Sequence, residues 1–452
     1  MEKLLLSEIA HCLNAECPEE KVIAEISTDT RNLPAGCLFI AIKGERFDGH
    51  IFIKQAIENG AAAAVSEYPV DGCPCIVVQN TRTALLEIAK YYRSKFDPVL
   101  VGVTGSVGKT TTKEMIALVL SEKYNTLKTQ GNLNNEIGLP KTLFNLDSSY
   151  KAAVIEMGMS DFGEIERLSN TASPTIGVIT NIGYSHIENL KSQEGILKAK
   201  LEILSGMKQD APLIINGDDM YLAPLKNEFK NSRPVYLYGI DNEHCDFKAE
   251  NIIEENGITR FTLVYNGFET EIEIPCAGKH NVLNASAAFC IGILSGLSEK
   301  EIVSALKKYK PDAMRQNIVK KGDHTVIIDC YNASPDSMKA TLNVLAGMEC
   351  NGRKIAVLGD MLELGDMSEK LHRLVGEYAA QYHLDRLYCY GENAMYIAAE
   401  ASEHGLASCA FHKDSKDLLA EKIKKDLKSG DIILFKASRG MKLEEVIDKI
   451  FG

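Results

Sequence analysis

Residues 99–115, VLVGVTGSVGKTTTKEM, predict a buried strand, a tight glycine turn and the start of a helix. Gly105 and Gly108 allow the backbone N–H groups of such a turn to point at an anion, and the helix that follows adds the positive end of its dipole. Lys109 supplies a point charge for the outer phosphates of a nucleotide, and Thr110 supplies a hydroxyl for Mg²⁺. The stretch therefore predicts a nucleotide-binding loop rather than an ordinary strand-to-helix turn.

This loop has a shortened glycine pattern. Val103 stands where the full G-x-x-x-x-G-K-[ST] motif has its first glycine, which leaves T-G-x-x-G-K-T. This departure from the full motif narrows the range of nucleotide-binding proteins to which the chain can belong. The residues predicted to contact ATP in this segment are Thr104, Gly105, Ser106, Val107, Gly108, Lys109, Thr110 and Thr111.

The composition is typical of an intracellular enzyme of two to four domains. The chain has 452 residues, of which 45% are hydrophobic and 25% charged. Its apolar runs are too short for a membrane span of about 20 residues, and its first residues lack the features of a secretory signal, so we expect a cytoplasmic protein without membrane insertion. The net charge of -12 disfavours nucleic acid as a partner. The 12 cysteines show no metal-ligand spacing, which predicts reduced thiols.

The distribution of apolar runs predicts three α/β domains. Residues 1–97 alternate short runs with helical segments and predict a small N-terminal α/β domain. Residues 98–311 carry the nucleotide-binding loop and repeated strand-helix units, which predict a central P-loop-type domain with a parallel sheet and the ATP site. Residues 312–452 repeat this pattern and predict a Rossmann-like, doubly wound domain.

An exception to the parallel pattern is predicted late in the central domain. Residues 234–275 contain short alternating segments with Asn-Gly turns at Asn256 and Asn266, which predict an antiparallel flap before a helix that begins near Asn281.

Further candidate residues follow strands of the central domain. Glu156 ends the strand AAVIE, where a carboxylate suits Mg²⁺; a strand-end acid paired with a lysine is the alternative. His186 follows the strand TIGVIT and is either a ligand or a structural histidine. Lys198 and Lys200 lie in a helical stretch, where periodicity alone cannot distinguish a functional lysine from a solvated basic face.

Together these residues resemble the ATP-dependent Mur ligases, which build the peptide of bacterial cell-wall precursors. The resemblance is carried by the loop at 104–111, by Glu156-Met157-Gly158, by residues 181–186 and by GKHNVLNASAA at 278–288. Longer strings favour the branch of the family that adds a dipeptide: STDTR at 27–31, KGERFDGH at 43–50, TQGNLNNEIGLP at 129–140, DCYNASPDSM at 329–338 and GDMLELG at 359–365. The D-N-P-R string typical of the branch that adds the third amino acid does not occur.

The resemblance implies an ADP-forming amide ligase of peptidoglycan synthesis, and hence of cell shape and division. Such an enzyme joins D-alanyl-D-alanine to UDP-N-acetylmuramoyl-tripeptide through an acyl phosphate. The alternatives are another P-loop phosphotransferase or ATPase, a nucleotide-gated binding module, and a related amide ligase of the folylpolyglutamate or cyanophycin type. We expect a monomer.

The resemblance also implies a catalytic set of Lys109, Glu156, His186 and Lys200. Lys109 and the loop amides would hold the β- and γ-phosphates. Thr110 and Glu156 would hold one Mg²⁺, and His186 a second. In the family a helical lysine is carbamylated and helps to position that metal; Lys200 is the match here, with Lys198 as the alternative.

The remaining roles are implied for three groups of residues. For ATP, they are Asn284 beside the adenine and Asn281 as a further ATP-binding residue (helix caps being the alternative for both), Arg315 at the phosphates, Asp329 at the ribose, and Tyr331, Asn332 and Ser334 in a loop over the nucleotide. For the UDP-sugar peptide, they are Ser27, Thr28, Asp29 and Arg31 at the uridine diphosphate, and Asn132, Asn134 and Asn135 at the muramoyl peptide. For the incoming dipeptide, they are Ser438 and Arg439. His372 is predicted to face solvent on a helix.

Overall fold

The structure, a computed structural model, describes residues 1–44, 47–255 and 257–452. Among these residues the strands form four sheets that follow one another along the chain. The predicted class, three α/β units with parallel sheets, is confirmed.

The N-terminal part contains a small antiparallel pair followed by a four-stranded parallel sheet in the order β3-β4-β5-β6. Its strands are β1 (Leu4–Leu5), β2 (Val22–Ile23), β3 (Ile26–Ser27), β4 (Leu38–Ile40), β5 (Ala63–Ser66) and β6 (Cys75–Val77). Its helices are α1 (Leu6–Cys12), α2 (Ile53–Glu58) and α3 (Thr81–Arg93).

The central part is a nine-stranded sheet in the order β15-β14-β13-β12-β11-β10-β7-β9-β8. Its strands are β7 (Val99–Thr104), β8 (Thr126–Lys128), β9 (Ala152–Glu156), β10 (Ile176–Ile179), β11 (Leu213–Asn216), β12 (Val235–Gly239), β13 (Phe247–Glu255), β14 (Ile258–Tyr265) and β15 (Phe268–Ile274). Its helices are α4 (Lys109–Leu120), α5 (Gly138–Leu143), α6 (Glu164–Ala172), α7 (Ile187–Leu190), α8 (Gln193–Leu201), α9 (Leu225–Glu228), α10 (Lys279–Leu294) and α11 (Glu299–Leu306).

The sequence of β7 explains its place inside this sheet. It lies between β9 and β10, with both pairings parallel, and its apolar side chains are covered on both faces. A strand buried in this way has a continuous apolar sequence instead of an alternating one. Helix α4 follows after four residues and packs against α10, so the loop between β7 and α4 lies at the carboxyl edge of the sheet.

The predicted antiparallel segment is present and continues the central sheet. Strands β13, β14 and β15 pair antiparallel with one another, while β13 pairs parallel with β12. Asn266 and Gly267 join β14 to β15 with φ angles of 48° and 78°, as a two-residue hairpin turn requires. The other predicted turn residue, Asn256, lies outside the described residues.

The C-terminal part is a six-stranded sheet in the order β16-β17-β21-β18-β19-β20, parallel except for β16. Its strands are β16 (Asn317–Lys321), β17 (His324–Asp329), β18 (Lys354–Gly359), β19 (Arg386–Tyr390), β20 (Cys409–His412) and β21 (Ile432–Lys436). Its helices are α12 (Pro335–Gly347), α13 (Ser368–Gln381), α14 (Ala394–Glu403), α15 (Lys416–Asp426) and α16 (Glu444–Phe451).

The prediction that His372 faces solvent is wrong. The side chain lies on α13 but is buried, and its Nε2 atom accepts a hydrogen bond of 3.0 Å from the backbone N–H of Met361. Burial lowers the pKa of His372, which keeps the imidazole neutral and able to accept. The residue therefore fixes the loop that follows β18.

Other features of the described residues bear on the sequence predictions. All 12 cysteines are free thiols, as predicted. Within the described ranges, no helix combines the length and the apolarity that crossing a bilayer requires. The domain boundaries after residues 97 and 311 stay a proposal, supported by the sheets, each of which lies wholly to one side of them.

Candidate active site

The nucleotide-binding loop has the backbone conformation that its glycines permit. Gly105 and Gly108 have φ angles of 149° and 83°. A Cβ atom on Gly105 would lie 1.8 Å from Thr180 Oγ1, and one on Gly108 would lie 2.8 Å from Asn284 Oδ1. Glycine is therefore needed at both positions for the close approach as well as for the φ angle.

Lys109 folds back over this loop. Its Nζ atom donates to the carbonyl oxygens of Gly105, at 2.7 Å, and of Ser106, at 3.2 Å. Burial lowers the pKa of Lys109, while the nearby Glu156 carboxylate acts in the opposite direction. The outer phosphates of a bound nucleotide would pair with the Lys109 ammonium at this place and favour its charged form.

The segment after β10 holds the other side of the loop. Asn181 accepts from Ser106 N at its carbonyl oxygen and from Val107 N at its side-chain oxygen. Gly183 N donates to Ser106 Oγ at 2.9 Å, and a Cβ on Gly183 would lie 2.2 Å from Asp336 Oδ2 of α12. The loop is therefore bonded to a segment that itself touches the C-terminal part.

Glu156 contacts polar side chains beside the phosphate loop. Thr110 Oγ1 donates to its Oε2 atom at 3.0 Å, and Asn134 Nδ2 donates to its Oε1 atom at 2.8 Å. The buried Lys113 has its Nζ atom 3.8 Å from Glu156 Oε2 and donates to Thr129 O at 2.8 Å. A carboxylate and a hydroxyl are ligands that Mg²⁺ prefers, so the residues beside the phosphate loop fit this ion.

His186 makes a contact with the C-terminal part. Its Nδ1 atom lies 2.8 Å from Glu363 Oε2. The His186 bond, as the leading cause, lowers the pKa of Glu363. Both residues have left-handed backbones, each with a φ angle of 63°. Such conformations are uncommon outside glycine and concentrate at functional sites.

The two candidate lysines of α8 have different surroundings. Lys200 is 1% exposed, and burial, together with the charge of Lys109, lowers its pKa well below the usual range. Lys198 is exposed, with its Nζ atom 5.8 Å from the ring centre of Phe162. Of the two, only Lys200 lies where its charge is disfavoured.

The side-chain amides of Asn281 and Asn284 lie in the first turns of α10 and do not cap the helix. Gly278 precedes the helix, so Asn281 and Asn284 lie inside it. Asn284 Oδ1 accepts from Thr112 Oγ1 at 2.9 Å, and Asn284 Nδ2 donates to Asn281 Oδ1 at 3.2 Å. Asn281 Nδ2 donates to Gln316 Oε1 at 2.9 Å, which links this helix to the segment before β16.

Arg315 and Asp329 close the site from the C-terminal side. The guanidinium of Arg315 lies 3.8 Å from the ring centre of Tyr331, a stacking contact that orients its fork of donors. Asp329 ends β17 and accepts from Lys436 Nζ at 2.6 Å and from Thr341 Oγ1 at 2.7 Å. Its carboxylate is therefore already paired before any nucleotide arrives.

Most of the predicted nucleotide-site residues described above line one cavity of about 540 Å³ between the carboxyl edges of the central and C-terminal sheets. This volume lies within the range of small-molecule and cofactor sites. The predicted site residues that line the cavity are Ser106, Val107, Gly108, Lys109, Thr110, Thr111, Asn132, Asn134, Asn135, Glu156, His186, Asn281, Asn284, Arg315, Asp329, Tyr331, Asn332 and Ser334.

Three groups of predicted site residues do not line the cavity. Thr104 ends β7 and Gly105 begins the loop, next to the lining residue Ser106. The buried Thr104 hydroxyl lacks a hydrogen-bond partner among the described residues. Lys200 lies behind Lys109. The last group is remote: Ser27, Thr28, Asp29 and Arg31 in the N-terminal part, and Ser438 and Arg439 after β21.

The remote residues are engaged locally. Arg31 pairs with Asp29 at 2.6 Å, and this pairing lowers the pKa of Asp29. Ser438 Oγ accepts from Leu362 N at 3.0 Å, and the exposed Arg439 pairs with Glu444 at 2.6 Å. Their predicted contacts with the UDP-sugar and the dipeptide stay predictions.

Sequence reasoning missed several residues of the site, of which Lys113, Gln316, Glu363 and Lys436 make the contacts described above. Lys436 ends β21 just as Asp329 ends β17, so its position at the end of a strand could have identified it as a site residue. Glu363 lies in the quoted string GDMLELG, but its partner is 177 residues away in the sequence. Sequence spacing alone gives no sign of that contact.

Models of one protein family match most of the chain. The model described as Mur ligase middle domain matches residues 103–292, the Mur ligase, glutamate ligase domain matches residues 314–439, and the Mur ligase family, catalytic domain matches residues 22–93.

Similar proteins are matched over nearly their whole length. UDP-N-acetylmuramoyl-tripeptide--D-alanyl-D-alanine ligase of Bacillus subtilis is 43% identical, with 95% of this chain and 93% of the relative covered. The enzyme of that name from Escherichia coli is 36% identical, with 99% and 98% covered.

Among solved structures, MurF from Acinetobacter baumannii matches with a TM-score of 0.93 at 31% identity, covering 100% of this chain and 99% of that one. MurF ligase from Thermotoga maritima in complex with ADP matches with a TM-score of 0.85 at 30% identity, covering 94% and 96%. Since its N-terminal, central and C-terminal parts each match a model of the same family, and its relatives are covered almost end to end, the chain belongs to the Mur ligase family.

Proposed function

We propose that this chain joins the amine of D-alanyl-D-alanine to the terminal carboxylate of UDP-N-acetylmuramoyl-tripeptide, with ATP converted to ADP and phosphate. The names of the B. subtilis and E. coli relatives support this reaction. The observation that carries it is the cavity in which the loop at Lys109 faces Arg315 and Asp329 across the two sheet edges. A site of this kind brings a nucleotide held by two domains to a second substrate.

The chemistry begins with a carboxylate, which is a poor electrophile. Transfer of the γ-phosphoryl group of ATP to it gives an acyl phosphate, and ADP leaves. Negative charge accumulates on the phosphoryl oxygens during this step, and Lys109 and Arg315 supply the fixed positive charges on either side of the cavity.

Residues of the central part would hold the metal ions. Thr110 and Glu156 would bind one Mg²⁺ and His186 a second, since their donor atoms line the same cavity as Lys109. Bound Mg²⁺ offsets the charge of the phosphates and orients the transferred group.

The amine of D-alanyl-D-alanine then attacks the acyl phosphate through a tetrahedral intermediate that releases phosphate. Asn132, Asn134 and Asn135 line the cavity and would bond the muramoyl peptide through neutral amides. We assign the uridine diphosphate to Ser27, Thr28, Asp29 and Arg31, and the dipeptide to Ser438 and Arg439. These remote assignments require the outer domains to bring their substrates to the central cavity.

We further propose that Lys200 is carbamylated. Its burial and low pKa support this modification, because the neutral amine is the form that reacts with CO₂. The reaction of the neutral amine with CO₂ forms an N–C bond and releases one proton, so that an anionic carbamate replaces the amine. We expect Lys200→Ala to lose activity and short-chain carboxylic acids to restore part of it. Lys198→Ala is the matched control and should stay active; absence of rescue at position 200 would contradict the modification.

The test of the reaction is ADP release from the purified chain with ATP and Mg²⁺. UDP-N-acetylmuramoyl-tripeptide alone, D-alanyl-D-alanine alone and both together are compared. We expect release to require both substrates and to match the amount of pentapeptide found by mass spectrometry. Release that is independent of the dipeptide would instead identify a phosphotransferase or ATPase.

A further inference from the structure

Glu363 brings a carboxylate of the C-terminal part to a candidate metal ligand of the central part. Its Oε2 atom lies 2.8 Å from His186 Nδ1, and both side chains line the nucleotide cavity. His186 lies in the loop that follows β10 of the central sheet, and Glu363 lies in the loop that follows β18 of the C-terminal sheet. The contact therefore exists only while the two parts are close together.

The loop that carries Glu363 is held rigidly. Met361 and Leu364 are buried on either side of it, and Met361 N donates to His372 Nε2 at 3.0 Å. Leu362 N donates to Ser438 Oγ at 3.0 Å. Glu363 itself takes the left-handed conformation, with φ at 63°, between these anchors. A strained residue fixed in this way is typical of a side chain aimed at a functional partner.

The opposite surface fits this loop closely. Gly365 follows two residues after Glu363, and a Cβ atom there would lie 2.8 Å from Glu188 Cγ at the start of α7. His186 precedes α7 and is also left-handed. The two loops thus meet over several residues, and the carboxylate has a defined position relative to the imidazole.

We propose that Glu363 is a positioning residue that orients the His186 imidazole for metal binding. The carboxylate accepts a hydrogen bond from Nδ1–H, which leaves the lone pair on Nε2 free for the ion. A histidine that binds a metal generally donates its other ring N–H to a carboxylate or a carbonyl, and loss of that partner typically weakens metal binding about 10- to 100-fold. The metal site at His186 is then complete only when the C-terminal part closes on the central part.

This inference rests on the proposed function for the identity of the metal ligand, so its test measures metal binding directly. Mn²⁺ is titrated into the full chain with a non-hydrolysable ATP analogue, and free Mn²⁺ is followed by electron paramagnetic resonance. We expect two bound ions in the wild type. In Glu363→Ala we expect one of them to bind about 10- to 100-fold more weakly, as it should in His186→Asn.

Two further variants distinguish positioning from other roles. Glu363→Gln keeps an oxygen that can accept from Nδ1–H, so it should recover most of the binding lost in the alanine variant. Glu392→Ala removes an exposed carboxylate of the same part, paired with Lys413, and should bind both ions normally. Nitrogen-15 spectra of labelled histidine should show His186 protonated on Nδ1 in the wild type, with this preference lost in Glu363→Ala.

Several outcomes would overturn the inference. The first is unchanged Mn²⁺ binding in Glu363→Ala, and the second is a single Mn²⁺ site in the wild type. The third is Mn²⁺ binding as weak in Glu363→Gln as in Glu363→Ala, which would make the carboxylate a direct metal ligand. Failure of the proposed reaction is seen separately, as wild-type ADP release that does not need the dipeptide.

Discussion

Lys436 Nζ lies 2.6 Å from Asp329 Oδ2, and the two residues are register partners at the carboxyl ends of the parallel strands β21 and β17. Burial acts to raise the pKa of Asp329, but the charge and hydrogen bond of Lys436 and the hydroxyl of Thr341 outweigh it and hold the pKa below its usual range. The pair places an ionised carboxylate at the edge of the nucleotide cavity while its charge is locally balanced.

Asp329→Asn should lower the free energy of unfolding at pH 7 by about 3 kcal/mol, because it leaves the buried Lys436 ammonium without its anion. A depressed folded-state pKa gives stability above the unfolded value of about 4 that is lost as the pH falls through the folded value. The difference between wild type and variant, from urea unfolding at several pH values, should therefore shrink below about pH 4. Asp417→Asn removes the exposed partner of Lys449 and should change little; an equal loss there would contradict the argument.

Lys109→Met should reduce dipeptide-dependent ADP release about 100- to 1000-fold, because the variant lacks the charge that the loop directs at the phosphates. Initial rates with saturating substrates measure this change. Lys123→Met, beyond the end of α4, removes an exposed lysine whose Nζ atom donates to Gly296 O, away from the phosphate loop, and is the control. A similar loss in both variants would place the effect in the fold rather than in the site.

Arg315→Lys should raise the KM for ATP about tenfold, because an ammonium has neither the fork of donors nor the flat face that stacks on Tyr331. Tyr331→Leu should give a smaller change in the same direction, since the guanidinium remains but loses its support. Steady-state kinetics with varied ATP give both values. Unchanged KM in Arg315→Lys would show that only the charge matters.

Gly105→Ala should abolish binding of a fluorescent ATP analogue, because the new Cβ would lie 1.8 Å from Thr180 Oγ1 in a backbone conformation that alanine rarely adopts. Thr180→Ala in the same chain removes the closest contact, but leaves the Cβ and N atoms of residue 180 at 3.0 and 3.1 Å and the backbone strain unchanged, so binding should return only in part. Gly347→Ala, with no atom within 4 Å of its Cβ, should bind normally. Full binding by the single variant would contradict the structure of the loop.

Closure of the domains should be visible in solution. Small-angle scattering of the free chain should change when an ATP analogue and UDP-N-acetylmuramoyl-tripeptide are added together, because the predicted substrate residues at 27–31 and 438–439 do not line the cavity that holds the nucleotide. Superimposable profiles would mean that the remote assignments are wrong.

The sequence predicts the parts of the site that depend on local order. The loop at Gly105–Lys109 follows from a buried strand, two glycines and a helix start, and Glu156 and Asp329 follow from their positions at strand ends. These features are encoded within a few residues of each other, so periodicity and motif spacing reveal them.

Contacts between distant segments could not be predicted in this way. The pair Glu363–His186 is set by how the central and C-terminal sheets face each other, and the pair Lys436–Asp329 by the pairing of β21 with β17, two strands about 100 residues apart in the sequence. His372 shows the opposite error, because a helical pattern does not say that a polar side chain will be buried to hold a loop. Similarly, α10 begins at Lys279, which places Asn281 and Asn284 inside the helix rather than at its cap.

Gly183 has a consequence beyond its bond to Ser106. Because a Cβ at position 183 would lie 2.2 Å from Asp336 Oδ2 and 3.3 Å from Ser106 Cβ, even a methyl group there would press on the Asp336 carboxylate of α12 and on the phosphate loop. Such a chain would have to shift both the Asp336 side chain and the phosphate loop at Ser106, so the change would act on the central and C-terminal parts together. Residue 183 is thus a position where one added carbon atom would change the fit between the phosphate loop and the C-terminal part.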